Sequence, residues 1–282
     1  MLGVQTKGDP QATRHEDEDR NQEIRTRVGV CAEKTGMLRL STTSPAETAV
    51  IGDIHGCGVE LRELLEHLVE STSTRRLVPV GDLFTKGRTP HEVVRVLDEF
   101  ERAGGEVHPT CGNHDLRMLV ALTRVEAGMS IDRLPKTERR TFKRLEAHDC
   151  VGAAHRWLIR AADTVEWSDG RGMTVVHAGL QPQLGLSGTS DHDKIHLKAG
   201  ENQRHWWQDY DGTDGLIVFG HKPVKQPLEC HRGGNLVAIN IDTGCADGGQ
   251  LTAFLAGSHS CVSVESQQLI LEQTRPKAAS VA

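Results

Sequence analysis

The chain has 282 residues, 37% hydrophobic and 26% charged, a balance that fits one large domain able to bury a substantial core. Its formal charge of −6 argues against dependence on a polyanion such as duplex nucleic acid, yet leaves room for a small phosphorylated substrate where bound cations reset the local field. Seven scattered cysteines without a Cys-x-x-Cys pair point to reduced thiols rather than a disulfide framework or a zinc knot.

Residues 1–46 are polar and mixed in charge, with Glu16-Asp17-Glu18-Asp19 and few aliphatic side chains, so they read as a disordered extension or as sequence upstream of the natural start. No apolar signal core leads them. No run in the chain approaches the roughly 20 apolar residues of a membrane span, so the expectation is a cytoplasmic protein with no membrane partner. A single domain is expected over 47–272, with 273–282 a disordered tail.

Thr48-Ala49-Val50-Ile51 predicts a short buried strand that runs into Gly52-Asp53-Ile54-His55-Gly56. A carboxylate and an imidazole two residues apart at a strand end point the same way. That donor pair suits Mn, Fe or Zn better than Ca. Leu61, Leu64, Leu65 and Leu68 recur at helical spacing, so Val59–Glu70 is an amphipathic helix. A strand over Leu77–Val80 leads to Gly81-Asp82. Thr89-Pro90 starts a second helix with Val93, Val96, Leu97 and Phe100 as its buried stripe. A third strand over Glu106–Cys111 leads to Gly112-Asn113-His114-Asp115, and a third helix begins at Leu116.

Residues 129–168 differ in character. Lys136, Arg139, Arg140, Lys143 and Arg144 make a basic run, and His155–Ala162 reads as helical, so this stretch is expected to be a helical cap inserted between two halves of the core. From Trp167 onward short strands alternate with Gly and Asp turns. Met173–Val176 delivers His177, a long polar loop spans Gln181–Gly215, and Leu216–Gly220 delivers His221. A last strand is expected over Gln268–Leu271. Five strand-like runs thus end in a metal-competent side chain, four with glycine just before the ligand and the fifth with glycine following in His177-Ala178-Gly179, where small residues permit sharp turns and close approach.

Gly52-Asp53-Ile54-His55-Gly56, Gly81-Asp82 with Lys86-Gly87, Gly112-Asn113-His114-Asp115, His177 and Gly220-His221 together resemble the motif series of calcineurin-like metallophosphoesterases. The pattern is most similar to the phosphoprotein phosphatase branch, with its bacterial and phage members and the symmetrical diadenosine tetraphosphatases. The single histidine of Gly220-His221-Lys222-Pro223 and the run Asn240-Ile241-Asp242-Thr243-Gly244-Cys245 fit that branch. The resemblance implies an α/β (α+β) fold, a four-layer β-sandwich flanked by helices. It implies two divalent metal ions, manganese first, with iron, zinc, nickel or magnesium as alternatives. Asp53, His55 and Asp82 would hold one ion, and Asp82, Asn113, His177 and His221 the other. His114 would be the general acid, an imidazole titrating near neutrality. Lys86 and Arg204 would bind substrate phosphate.

The chain also departs from the branch pattern. Thr85 stands where an aspartate usually orients the catalytic histidine, with Asp115 a candidate to compensate, and Lys86 replaces an arginine that would grip phosphate with a fork. Aryl esters should therefore be cleaved better than alkyl ones. Asp242 reads equally as a partner of a ligand histidine or as a turn former. Cys57, Cys111 and Cys245 lie beside the motifs and read as small buried residues.

The reaction expected from the resemblance is hydrolysis of phosphomonoesters, phosphoserine or phosphothreonine proteins included, by a metal-bridging hydroxide. The alternatives are a symmetrical dinucleoside tetraphosphatase and, from another class, a non-catalytic metal-dependent binding module.

Overall fold

In the computed structural model, which describes residues 38–39, 48–198 and 204–268, two sheets face each other across a shared apolar layer. The first sheet is built on three parallel strands, β2 (Thr48–Ile51), β3 (Arg76–Pro79) and β4 (Glu106–Val107). It is completed by β10 (Gln250–Leu255), antiparallel to β2, and by β11 (Ser260–Glu265) at the edge. The second sheet runs in the order β1 (Leu38–Arg39), β5 (Glu166–Ser168), β6 (Met173–Val176), β7 (Leu216–Phe219), β9 (Asn235–Asn240) and β8 (Leu228–Arg232). Within it β6, β7 and β9 are parallel neighbours.

The two-residue period of the strands sorts their side chains into layers. Val50, Val78, Val175, Val218 and Ile239 meet between the sheets, joined by Trp167 and Phe254. Ala49, Ile51 and Leu77 turn the other way, toward a helical layer. That layer comprises α1 (Gly58–Ser71), α2 (Pro90–Arg102), α3 (Asn113–Glu126), α4 (Lys136–Glu146) and α5 (Val151–Ala162). α1 buries Leu61, Leu64, Leu65 and Leu68, and α2 buries Val93, Val96 and Leu97, the stripes their periodicity predicts. On the outer face of the second sheet, Val176, Ile217, Phe219 and Ala238 pack with Leu180, Trp206, Trp207 and Tyr210. The two short helices α6 (Gly185–Gly188) and α7 (Asp191–His196) lie in the long polar loop before them. The four layers expected from the sequence are therefore present.

Several boundaries differ. β4 stops at Val107, and the chain to Cys111 keeps only single backbone bonds to β3, His108 N to Leu77 O and Thr110 N to Pro79 O. α3 starts at Asn113 rather than Leu116, because Asp115 turns its carboxylate back on the Gly112 N–H and closes the first turn. The inserted segment is helical through Ala162, and Glu166–Ser168 at its end joins the second sheet as β5. α4 and α5 pack on α2 and α3. The proposed extension 1–46 lies outside the described residues apart from Leu38–Arg39, which run parallel to β5. The tail 273–282 lies outside them too, as does all of the expected last strand but Gln268.

Candidate active site

The loops after β2, β3, β6 and β7 and the start of α3 converge at the carboxyl ends of the parallel strands, where open α/β sheets place ligands. Four side chains there stand on non-glycine residues in the left-handed region: His55 (φ 48°), Asp82 (φ 57°), Lys86 (φ 65°) and His221 (φ 69°). Each such conformation costs roughly 1–2 kcal/mol in a regular chain, so the surroundings must hold it. They do so with short backbone bonds, His55 N to Asp82 O at 2.6 Å and Gly87 N to His55 O at 2.6 Å. Gly220 and Gly112 are required by close approach: a Cβ on the first would strike Asp53 Oδ1, and on the second Asp82.

All six expected metal ligands come together. Asp82 lies at the centre, its Oδ2 3.4 Å from His55 Nε2 and its Oδ1 3.7 Å from His177 Nε2. Asp53 Oδ2 is 4.0 Å from His55 Nε2, and its carboxylate accepts the backbone N–H of His221 at 3.1 Å. His177 Nε2 is 3.1 Å from both Asn113 Oδ1 and His221 Nδ1. The ring is oriented by Val80, whose carbonyl accepts from Nδ1 at 2.9 Å and leaves the Nε2 lone pair facing the cluster. His55 is oriented likewise, with Thr85 Oγ1 at 3.2 Å from Nδ1. Lys86 Nζ then donates to His55 Nε2 at 2.6 Å.

Burial sets the electrostatics. Asp53 is held far above the usual carboxylate range by burial first, then by Asp242 and Asp82. Burial likewise lifts Asp82 to about 7 and Asp242 to about 6. It pushes His177 and His221 down to about 3 and His55 well below its ordinary value, Lys86 adding to the last. Three buried carboxyls crowd round lone-pair nitrogens, so the donor set fits divalent cations: their charge would relieve both the carboxylate repulsion and the desolvation. The Lys86 ammonium already supplies positive charge at that place. Two groups that could hold an ion, Asp53 with Asp82 and His177, and His55 with Asp82 and His114, share Asp82.

The remaining expectations need correction. Thr85 orients His55, not His114. Asp115 does not reach His114 either: its carboxylate accepts the backbone N–H groups of Asp82 (2.6 Å), Leu83 (2.8 Å) and Gly112 (3.0 Å), so it fixes the loop that carries Asp82. Burial and the Asp82 charge push it up to about 8 against those three donors. His114 stands on the first turn of α3, its ring edge-on to His55 at 5.1 Å and its Nδ1 buried without a hydrogen bond. Asp82 lies near it but no carboxylate is hydrogen-bonded to it, and burial and the Lys86 charge hold it at about 3 instead of near neutrality. Arg204 is exposed and pairs with Asp209 at 2.7 Å. Asp242 forms the turn, accepting Gly244 N at 3.1 Å, while its Oδ2 stays buried without a hydrogen bond; no ligand histidine is bonded to it. Cys57, Cys111 and Cys245 are buried, as read. The sequence did not single out Arg144, which reaches from α4 to the carbonyls of Lys86 and Gly87. The basic run held the signal, but a run of charge does not say which neighbour it meets.

The sequence pattern of the calcineurin-like phosphoesterases matches residues 47–259. The chain is 30% identical over 242 residues to the asymmetrical bis(5'-nucleosyl)-tetraphosphatase PrpE of Bacillus velezensis, covering 77% of this chain and 92% of that one. To the protein of the same name in Halalkalibacterium halodurans it is 28% identical, covering 79% and 96%. Among solved structures, it resembles a candidate diadenosine tetraphosphatase with TM-score 0.62 and 21% identity, covering 83% of this chain and 99% of that one. A protein serine/threonine phosphatase from Saccharomyces cerevisiae gives TM-score 0.53 at 10% identity, covering 88% and 89%; both likenesses are of fold. The tetraphosphatase relatives carry the asymmetrical designation, which does not favour the symmetrical alternative. No helix among the described residues is long and apolar enough to cross a membrane.

Proposed function

Because the chain belongs to the calcineurin-like phosphoesterase family, we propose that the Asp82 cluster holds two divalent cations, manganese first, and hydrolyses phosphoesters and phosphoanhydrides whose leaving groups are weakly basic. The observation that carries this reading is the splayed carboxylate of Asp82, one oxygen toward His55 and the other toward His177, as a ligand shared between two ions requires. Asp53 and His55 complete one side, and Asn113, His177 and His221 the other. Divalent cations there supply a water nucleophile active near neutral pH and neutralise charge growing on the phosphoryl oxygens.

The chain's own residues set the substrate range. Lys86, drawn to His55 Nε2 by the surrounding carboxyls, turns to substrate phosphate once cations take over that charge. His114 faces the site from the start of α3 and protonates the leaving oxygen. It lacks a carboxylate partner and depends on the bound phosphate dianion to hold its proton, so it serves weakly basic leaving groups best. A nucleoside polyphosphate is such a leaving group, and an alkoxide is not. Together with the relatives' names this favours a dinucleoside tetraphosphate split asymmetrically, into a nucleoside triphosphate and a monophosphate. Aryl phosphomonoesters and phosphopeptides stand behind it.

The test is a panel on metal-stripped protein reconstituted with Mn, Ni, Zn or Mg. Diadenosine tetraphosphate, p-nitrophenyl phosphate and a phosphoserine peptide are offered separately, and products are resolved by chromatography. ATP with AMP as the tetraphosphate products supports the reading. Two equivalents of ADP would restore symmetrical cleavage, and turnover without added metal would remove the cluster's role.

A further inference from the structure

We propose that Arg144 is a positioning residue that clamps the backbone beneath Lys86 and thereby aims its ammonium into the site. The inference rests on the reading of Lys86 as the phosphate-binding cation. Lys86 is itself an exposed rim residue in a left-handed conformation (φ 65°), held at its tip by His55 Nε2 at 2.6 Å and at its base by its backbone, so its aim depends on that backbone as well as on the histidine. Arg144 Nη1 donates to Lys86 O at 3.1 Å and also to Gly87 O, the carbonyls of two successive peptide units. From the other side Gly87 N is tied to His55 O at 2.6 Å and to Thr85 O at 2.8 Å. The segment after Lys86 is therefore held between a guanidinium on the helical cap and the backbone of a metal-ligand loop. Both bonds leave the same nitrogen, so a lysine at 144 keeps the charge and the donors but, one atom shorter, reaches the two carbonyls less well.

α4 does not need Arg144 to stay in place. Its buried residues are Glu138, Thr141, Phe142 and Leu145, and Glu138 is paired with Arg117 of α3 at 2.6 Å. Beyond its end, the ring of His148 stacks on that of His91, 3.5 Å between centroids and 13° between planes. The cap is thus fastened on both sides of the loop, and removing one guanidinium should leave it folded. The arrangement gives the inserted helices a task that their sequence alone does not state: they set the geometry of a cation on the rim of the site without touching the substrate.

The experiment is a double-mutant cycle with Arg144→Met, Arg144→Lys, Lys86→Ala and the Met/Ala double variant. On manganese-loaded protein, KM and kcat for p-nitrophenyl phosphate and the inhibition constant for inorganic phosphate are measured. Arg144→Met should weaken phosphate binding about tenfold, roughly 1.4 kcal/mol, and change kcat less. Arg144→Lys should recover part of the loss, and Arg144→Met should add nothing in the Lys86→Ala background. An equal effect in both backgrounds overturns the proposal, as does no effect in the wild-type background. A Lys86→Ala variant with unchanged phosphate affinity sinks the reading of Lys86, and the clamp's purpose with it. Hydrogen exchange of the 83–90 peptide in metal-free protein reads the clamp without turnover. Exchange should quicken in Arg144→Met and stay unchanged in Lys86→Ala, so a failure of catalysis and a failure of the clamp are told apart. Unaltered exchange in Arg144→Met would overturn the proposal.

Discussion

Metal-free protein should lose stability as pH rises from about 6.5 to about 8. The sign follows from which groups still titrate in that window. His177, His221 and His114 are pushed to about 3 in the folded chain, whereas their unfolded counterparts near 6.5 are still partly protonated at the start of the window, so each opposes the loss by about 0.4 kcal/mol there and adds almost nothing above about pH 7.5. The carboxyls go the other way. In the unfolded chain they are ionised throughout the window, whereas burial keeps Asp82 near 7, Asp242 near 6 and Asp53 well above its ordinary value. Stability from such raised groups is fully present below the unfolded pKa and is lost as pH rises through the folded one. Asp115, pushed up to about 8, accounts for somewhat under about 2 kcal/mol of the loss across the window and Asp82, at about 7, for somewhat under about 1 kcal/mol, at about 1.36 kcal/mol per unit. A loss of about 2 kcal/mol corresponds to a fall of about 4–8 °C in melting temperature for a domain of this size. Circular dichroism melts of chelator-treated protein at half-unit pH steps would show it. Saturating manganese should cancel the fall, because the cation competes with the same protons and binds more tightly as they leave. A flat or rising melting temperature in the metal-free protein would refute the reasoning.

Asp82→Asn should abolish turnover and lower metal content measured by atomic absorption, since a neutral amide cannot share two cations; a metal-replete, active variant would end the bridging assignment. His114→Asn should retain metal but slow alkyl phosphates more than aryl ones, and equal losses on both would take His114 out of proton transfer. Gly220→Ala should destabilise by about 1–3 kcal/mol. Its Cβ strikes Asp53 Oδ1 and comes within 2.8 Å of Val80 Cγ2, so manganese affinity by calorimetry should drop alongside the melting temperature. Wild-type values for both would show that the loop yields freely there.

Much of the site was legible because its chemistry is written locally. Asp53, His55, Asp82, His177 and His221 each stand at the end of an apolar run with a glycine one or two residues away, a pairing that a strand end and a crowded loop both demand. The stripes of α1 and α2 were legible for the same reason, one residue period answering to one buried face. Legibility ended where a side chain's partner comes from elsewhere in the chain. Thr85 stands where the pattern would orient His114, yet its hydroxyl lies against His55 Nδ1, a partner thirty residues away that spacing along the chain does not reveal. Asp115 was expected to support a histidine, but its place at the third position of α3 turns its oxygens toward backbone N–H groups. Arg204 was singled out by its position between two histidines, and spacing along a chain does not establish that a side chain faces them.

The cluster is assembled by the fold rather than by its ligands, and that has a chemical consequence. Asp82 is placed by three N–H bonds to Asp115, His177 by the Val80 carbonyl, His55 by Thr85, and Asp53 by the His221 backbone. None of these contacts needs a cation. Mutually repelling carboxyls and strained residues are therefore held close to a ligand arrangement by packing, and the cost is met in folding rather than on metal binding. A site built this way would need little rearrangement to take cations, except at a positive side chain bonded to one of its histidines. That group is Lys86, whose ammonium stands where positive charge is required and whose backbone is secured from the helical cap. On the proposed two-cation reading the same loop would join metal occupancy to phosphate binding: cations that displace the ammonium from His55 would free it for the substrate. Phosphate affinity should consequently depend on metal even for groups that no metal touches.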